Sequence, residues 1–149
     1  MEHIMIITRE QLLESLHADW CTFVQRYQRL SPEARATYLR QQGYARFADL
    51  LAHIIAWWQE SLMAMPTMMS NPAYTSPDHD VDQFNAQAVN RFRDLSESAV
   101  IAIFEDLRQQ WVDLVSGLPA EAVQNEKTAN RLHIELIGHF DEHRLSADW

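Results

Sequence analysis

Two histidines in the segment His139-Phe140-Asp141-Glu142-His143 have the spacing of a metal site on a helix. Residues four apart on an α-helix lie on one face, with Cβ atoms roughly 5–6 Å apart. Two imidazoles placed in this way can share one cation, and zinc, nickel, copper and iron all accept imidazole nitrogen. Pairs of this kind are also common as structural histidines, so the pair alone leaves both interpretations open.

A third histidine, His53, lies in an apolar segment that predicts another helix. Leu50 is three residues before it and Trp57 four residues after it, so His53 shares the core-facing side of that helix. Alone, it would be interpreted as a core histidine bonded to a neighbour. Inward-facing histidines on two helices can instead form a three-nitrogen metal site with open positions for water or substrate. The sequence therefore predicts a metal site at His53, His139 and His143.

The other polar residues are weaker candidates for a role in this site. Glu135, four residues before His139, could reach it, and Glu60 could be a supporting carboxylate. For both, an exposed position on a helix surface is the simpler expectation. Cys21 is the only cysteine, which excludes a disulfide within the chain and a cysteine-rich zinc site. The remaining histidines show no comparable placement: His3, His17, His79 and His133.

The elements that would carry the three histidines are helices. Thr8 and Gln11 have the spacing of a capping box, which predicts a helix start. Ser31 followed by Pro32 predicts a short helix that ends near Gly43. Apolar residues recur at helical spacing in four long segments, and no segment is a credible strand. These segments are 8–27, 46–65, 80–117 with a break near 94–96, and 127–147.

Four long amphipathic helices predict an all-α four-helix bundle formed by a single domain, residues 1–149. Pro66 should end the second long helix, and segment 65–80 is typical of an extended connection. Fourteen extended residues reach roughly 46 Å, compared with about 30 Å for a helix of 20 residues. The connection can therefore return along the bundle, which would leave the second and third long helices parallel.

The charge of the chain argues against several classes of protein. Lys plus Arg is 12 and Asp plus Glu is 21, a net charge of −9, which disfavours nucleic acid and anionic lipid as partners. No apolar stretch approaches the roughly 20 residues of a membrane span. Glu2 stands where a signal peptide would carry a cation, so we expect a cytoplasmic protein.

Three segments resemble the DinB/YfiT-like superfamily, in particular its ClbS/DfsB branch. They are GYARFADLLAHIIAW at 43–57, DVDQFNA at 80–86 and GHFDEH at 138–143. Their order and spacing match over nearly the whole chain, although Tyr44 stands where relatives often have Trp. The resemblance implies an up-down-down-up bundle, frequent dimers, and a nickel or zinc ion on His53, His139 and His143.

The resemblance leaves three functions open. Characterised members include thiol-dependent transferases and isomerases, which implies a metal-dependent hydrolase or thiol-dependent transferase acting on a small molecule. ClbS-like members instead open a reactive cyclopropane in a genotoxin and do not need the three histidines. A metal-independent protein that destroys or sequesters a toxin is therefore the alternative, although this chain departs from the ClbS pattern by keeping the histidines. The third function is a non-enzymatic, stress-related dimer.

Overall fold

The structure is a computed structural model that describes residues 7–71, 73–147 and 149. Within this part of the chain there are seven continuous helices and no strand, which confirms the all-helical prediction. Helix α1 consists of Arg9–Glu14, a π-helical turn at Ser15–Asp19, and Trp20–Gln28. The next five are α2 (Pro32–Gln42), α3 (Phe47–Ser70), α4 (Val81–Arg91), α5 (Glu97–Ser116) and α6 (Ala120–Gln124). Helix α7 consists of Glu126–Leu132, a π-helical turn at His133–Gly138, and His139–His143.

Capping residues determine where four of these helices begin. The Thr8 hydroxyl accepts a hydrogen bond from the backbone N–H of Gln11, and the Gln11 side chain accepts one from the Thr8 N–H. This is the predicted capping box. Ser31, Asp80 and Ser96 each accept a bond from the backbone N–H three residues later, at the starts of α2, α4 and α5. The predicted break near 94–96 is therefore confirmed, because Ser96 starts a new helix.

Helix α3 continues past Pro66, where the sequence predicted its end. A proline inside a helix removes a backbone hydrogen bond and costs about 3 kcal/mol. Beyond it, however, Met68 is only 5% exposed. Burying a side chain of that size stabilises by roughly 1.5–3 kcal/mol, which offsets the lost bond. The predicted end was wrong because tertiary packing outweighs the local preference of proline.

Helix α7 ends at His143, four residues before the predicted end at Ala147. The next residue, Arg144, has an extended backbone with φ −60° and ψ 150°. The carbonyl of His143 accepts a hydrogen bond from the Tyr38 hydroxyl of α2. A side chain of another helix thus satisfies a group that would otherwise need a further helical N–H, and α7 stops there.

The core lies where α1, α3, α5 and α7 face one another. One apolar cluster runs through these helices, and its largest fully buried side chains include Trp20, Trp58 and Trp111. The rings of Trp20 and Trp58 meet edge to face at 4.7 Å, and Trp58 stacks on Phe104 at 5.4 Å. In the described residues, no helix is both long and apolar enough to cross a membrane.

The connection between α3 and α4 begins at 71 instead of 65, and it lies against α3 and α7. Ser76 accepts a hydrogen bond from Arg131 of α7 at 3.0 Å. Further on, the ring of His79 bonds to Glu60, which lies ten residues before the end of α3. The connection therefore returns along α3.

Candidate metal centre

The structure brings His53 of α3 together with His139 and His143 of α7. The Nε2 atom of His53 lies 3.2 Å from Nε2 of His143 and 3.3 Å from Nε2 of His139. Each residue offers one nitrogen within 4.8 Å of the other two. His139 and His143 are buried, and His53 is half-buried. These three residues could hold a metal ion, as the sequence predicted.

A π-helical turn directly before His139 determines how α7 presents its two histidines. A π turn contains more residues than an α turn, so it rotates everything after it relative to everything before it. The turn spans His133–Gly138, and a second π turn at Ser15–Asp19 packs against it. Isolated π turns of this kind occur frequently at functional sites. The spacing of apolar residues gave no sign of either turn.

Buried side chains hold the π turn of α7 in place. The hydroxyl of Ser15 and the indole N–H of Trp20 both donate to the carbonyl of Leu136 at 2.8 Å. The indole N–H of Trp58 donates to the carbonyl of Glu135 at 3.0 Å. Side chains of α1 and α3 thus bond directly to carbonyls within the π turn. The core thereby fixes the direction of the histidines that follow.

Asn85 of α4 determines the tautomer of His53. Its Oδ1 atom lies 2.8 Å from Nδ1 of His53 and accepts a hydrogen bond from the indole N–H of Trp57 at 2.7 Å. A carbonyl oxygen only accepts, so Nδ1 of His53 is the nitrogen that carries the proton. The other ring nitrogen, Nε2, therefore presents its lone pair towards the two histidines of α7.

Gln42 of α2 has the same effect on His143. Its Oε1 atom lies 2.7 Å from Nδ1 of His143. Its Nε2 atom donates to the backbone carbonyl of Glu142 at 3.2 Å, which fixes the orientation of the amide. Nδ1 of His143 is therefore the donor, and its Nε2 presents a lone pair. An imidazole whose outer N–H is held by an amide or carboxylate oxygen is the usual arrangement of a histidine metal ligand.

The electrostatics of the three rings favour a cation between them. Burial, together with the neighbouring imidazoles, lowers the pKa of His139 to about 2 and that of His143 to about 3. Burial also lowers the pKa of His53, although its bond to Asn85 opposes the shift. All three rings are therefore neutral near pH 7. Two unprotonated nitrogens 3.2 Å apart repel each other, and a shared cation removes that repulsion. The site thus fits a divalent ion.

Glu135 lies on the outer side of His139. Its side chain is only 8% exposed, and its Oε2 atom is 3.9 Å from Nδ1 of His139. That Nδ1 is buried and has no hydrogen-bond partner among the described residues. Burial raises the pKa of Glu135 to about 7, against the opposing effects of Arg131 and Ser61. The expectation that Glu135 is an exposed surface charge was wrong, because the π turn directs it inward.

A cavity of about 350 Å³ opens beside two of the histidines. Trp57 and Val81 form an apolar side, and Glu135 and Glu142 supply carboxylates. Tyr44 borders the site, with its ring 5.7 Å from that of His53, and burial raises its pKa to about 12. The cavity has the size of a small-molecule site and combines an apolar side with imidazoles and carboxylates.

The other sequence candidates lie away from the three rings. Glu60 bonds to His79, so it is not a supporting carboxylate of His53. His17 is exposed, and Cys21 is a half-buried free thiol. His133 belongs to the π turn and is not part of the cluster. His3 lies outside the described residues.

Sequence reasoning did not single out the two amides that orient the rings. Asn85 is 32 residues from His53, and Gln42 is 101 residues from His143. Asn85 falls within the segment 80–86 that carries the family resemblance, which was the one available signal. Gln42 had none, because its role depends on where α2 meets the end of α7.

Comparison of the chain with protein-family models, with curated proteins and with solved structures gives no match. The resemblance to the DinB/YfiT-like superfamily therefore rests on the three sequence segments alone.

Proposed function

We propose that this chain is a metal-dependent enzyme of the DinB/YfiT-like type, a hydrolase or thiol-dependent transferase that acts on a small molecule. One observation carries the proposal. The Nε2 atoms of His139 and His143 both lie within hydrogen-bond distance of His53 Nε2, and amides of two other helices turn the lone pairs of His53 and His143 inward. A purely structural cluster would not need its lone pairs to face one another.

Nickel and zinc are the proposed ions, since both accept a set of imidazole ligands and three protein ligands leave a position open. A divalent ion held there would supply Lewis acidity, lowering the pKa of a bound water or thiol. The chain itself would contribute the rest. Asn85 and Gln42 orient two of the rings, and Trp57 and Val81 provide an apolar wall for the substrate.

Metal analysis of protein purified without a histidine tag tests this proposal. We expect one ion of nickel or zinc per chain, and loss of that ion in His53→Ala. The exposed His17→Ala is the matched control and should keep the metal. Binding at a thousandfold excess over Kd should stabilise the protein by about 4 kcal/mol, measured by urea unfolding. Absence of binding for every divalent ion tested would refute the metal site.

Activity distinguishes this function from the metal-independent alternative. Once a substrate is known, the double variant His139→Ala/His143→Ala should abolish turnover. If cells carrying that variant remained protected against an electrophilic toxin, a ClbS-like resistance protein would be supported instead.

The proposal includes an up-down-down-up course of the bundle, a homodimer and a cytoplasmic location. The course of the bundle and the dimer follow from the sequence resemblance. Light scattering at micromolar concentration tests the dimer, because a dimer and a monomer of 17.4 kDa differ twofold in mass.

A further inference from the structure

A second cavity, of about 300 Å³, lies on α7 next to the histidine cavity. Helix α7 contributes two cations to it, and the connection after α3 contributes hydroxyl groups. Its main lining residues are Lys127, Arg131, Ile134, Tyr74, Ser76 and Met68. Ile134 also lines the histidine cavity, so the two spaces are neighbours across one side chain.

The charge of this second cavity contrasts with that of the whole chain. The chain has a net charge of −9, and Lys127 is its one lysine. That lysine and Arg131 both line the cavity, and no carboxylate is among its lining residues. Both cations have partners within the chain, since Lys127 Nζ donates to the carbonyl of Tyr74 at 3.1 Å and Arg131 pairs with Glu135. Two cations on one cavity wall still favour an anionic ligand over a cationic one. The hydroxyl of Ser76 is a further group that can donate a hydrogen bond to an oxyanion.

The guanidinium of Arg131 is held in one position. Its Nε donates to the Ser61 hydroxyl at 2.9 Å, and its Nη1 donates to the Ser76 hydroxyl at 3.0 Å. Glu135 Oε1 lies 3.6 Å from Nε, and Glu135 lines the histidine cavity instead of this one. A guanidinium has five N–H donors in a fixed fork that matches carboxylate and phosphate, and holding it in advance reduces the entropy lost on binding.

The distance between the two cavities suits one bridging molecule. Arg131 and His139 are eight residues apart on α7, at most about 12 Å along its axis, because the π turn between them contains more residues per turn than an α-helix. Between them Ile134 is 50% exposed, and such an apolar side chain could contact the body of a ligand. We propose that Lys127 and Arg131 bind an oxyanion, a carboxylate or a phosphate, of the molecule whose other end reaches the three histidines. The link to the histidines rests on the proposed function, whereas the oxyanion site does not.

The oxyanion site is tested first in the metal-free protein. Nitrogen-15 NMR titrations use inorganic phosphate and acetate, with chloride at equal ionic strength as the reference. We expect saturable shifts at the cavity residues, and about tenfold weaker binding in Lys127→Gln, the loss of one charge-assisted hydrogen bond. The exposed Arg29→Gln removes the same charge elsewhere and should bind normally. The preferred anion distinguishes phosphate from carboxylate.

Lys127→Gln is the decisive variant, because Arg131→Gln also breaks the bonds to Ser61 and Ser76 and could fail to fold. If phosphate and acetate shift nothing beyond the chloride reference, or bind Lys127→Gln as well as the native chain, the oxyanion site is refuted.

The link to the histidines is tested with two hydroxamates on the zinc- or nickel-loaded protein. Suberic monohydroxamic acid carries a carboxylate at its far end, and octanohydroxamic acid does not. The carboxylated compound should bind about tenfold more tightly, and Lys127→Gln should remove that advantage. Equal binding of the two compounds would refute the bridging ligand while leaving the metal site intact. Anion binding in a chain that takes up no metal would refute the proposed function and leave the oxyanion site standing.

Discussion

Replacing Asn85 by alanine should weaken metal binding at the three histidines by about 10- to 100-fold, although Asn85 is not itself a ligand. The side chain is half-buried on α4, and its Oδ1 accepts from Nδ1 of His53 at 2.8 Å and from the indole of Trp57 at 2.7 Å. Removal of this oxygen leaves both donors without that acceptor. The factor corresponds to about 1.4–2.7 kcal/mol of binding free energy.

Two effects add up to this loss. Without its acceptor, the ring of His53 is free to rotate, so binding must restore an orientation that the native chain provides in advance. The proton of the neutral ring can also move to Nε2, the atom that lies 3.2 Å from His143 Nε2. The ion would then have to displace that proton before it could bind. Stability should fall less, by about 1 kcal/mol, because water can reach the half-buried site and replace the lost bonds.

Competition with a chelator of known affinity measures the metal Kd, and urea unfolding of the metal-free protein measures stability. Asn85→Asp keeps an acceptor and adds a negative charge beside His53, so it should bind the metal at least as tightly as the native chain. Gln87→Ala, an exposed change on the same helix, should alter neither quantity. The reasoning is refuted if Asn85→Ala binds within threefold of Gln87→Ala.

Three further outcomes follow from the structure. In the metal-free protein, the unfolding free energy should decrease as the pH falls below about 6.5, by up to about 1.4 kcal/mol per pH unit for each of His139 and His143. The folded-state pKa values of these two residues, about 2 and about 3, lie below the pKa of a histidine in the unfolded chain. The unfolded chain therefore takes up protons first, which favours unfolding. Urea midpoints that stay constant from about pH 7 to about pH 5 would contradict this. Pro66→Ala should stabilise by about 1–2 kcal/mol in thermal unfolding, since it restores a helical N–H but also loosens the unfolded chain. Ser15→Ala removes one of two side-chain donors to the Leu136 carbonyl, so it should lower the unfolding free energy by about 1 kcal/mol and weaken metal binding. An unchanged metal Kd would show that the π turn does not depend on this bond.

The range of the interactions involved explains which helix boundaries could be predicted from the sequence. Thr8, Ser31 and Ser96 act on backbone groups three residues away, so short-range patterns reveal them. Gly43 ends α2 in the left-handed conformation with φ 82°, which a glycine adopts without strain. The end of α3 escaped prediction because burial beyond Pro66 outweighs its local cost.

The sequence by itself determined the helical character of the chain and the identity of the three histidines. Helical periodicity and the i, i+4 spacing of His139 and His143 are local properties, and His53 was identified by the apolar face that it shares. The tertiary structure alone decided that their Nε2 atoms meet. The rings of His53 and His143 are 90 residues apart, and their orienting amides are 32 and 101 residues away. The π turn of α7 depends likewise on donors from α1 and α3. Hydrogen bonds of this range are set by packing, which no pattern within one helix encodes.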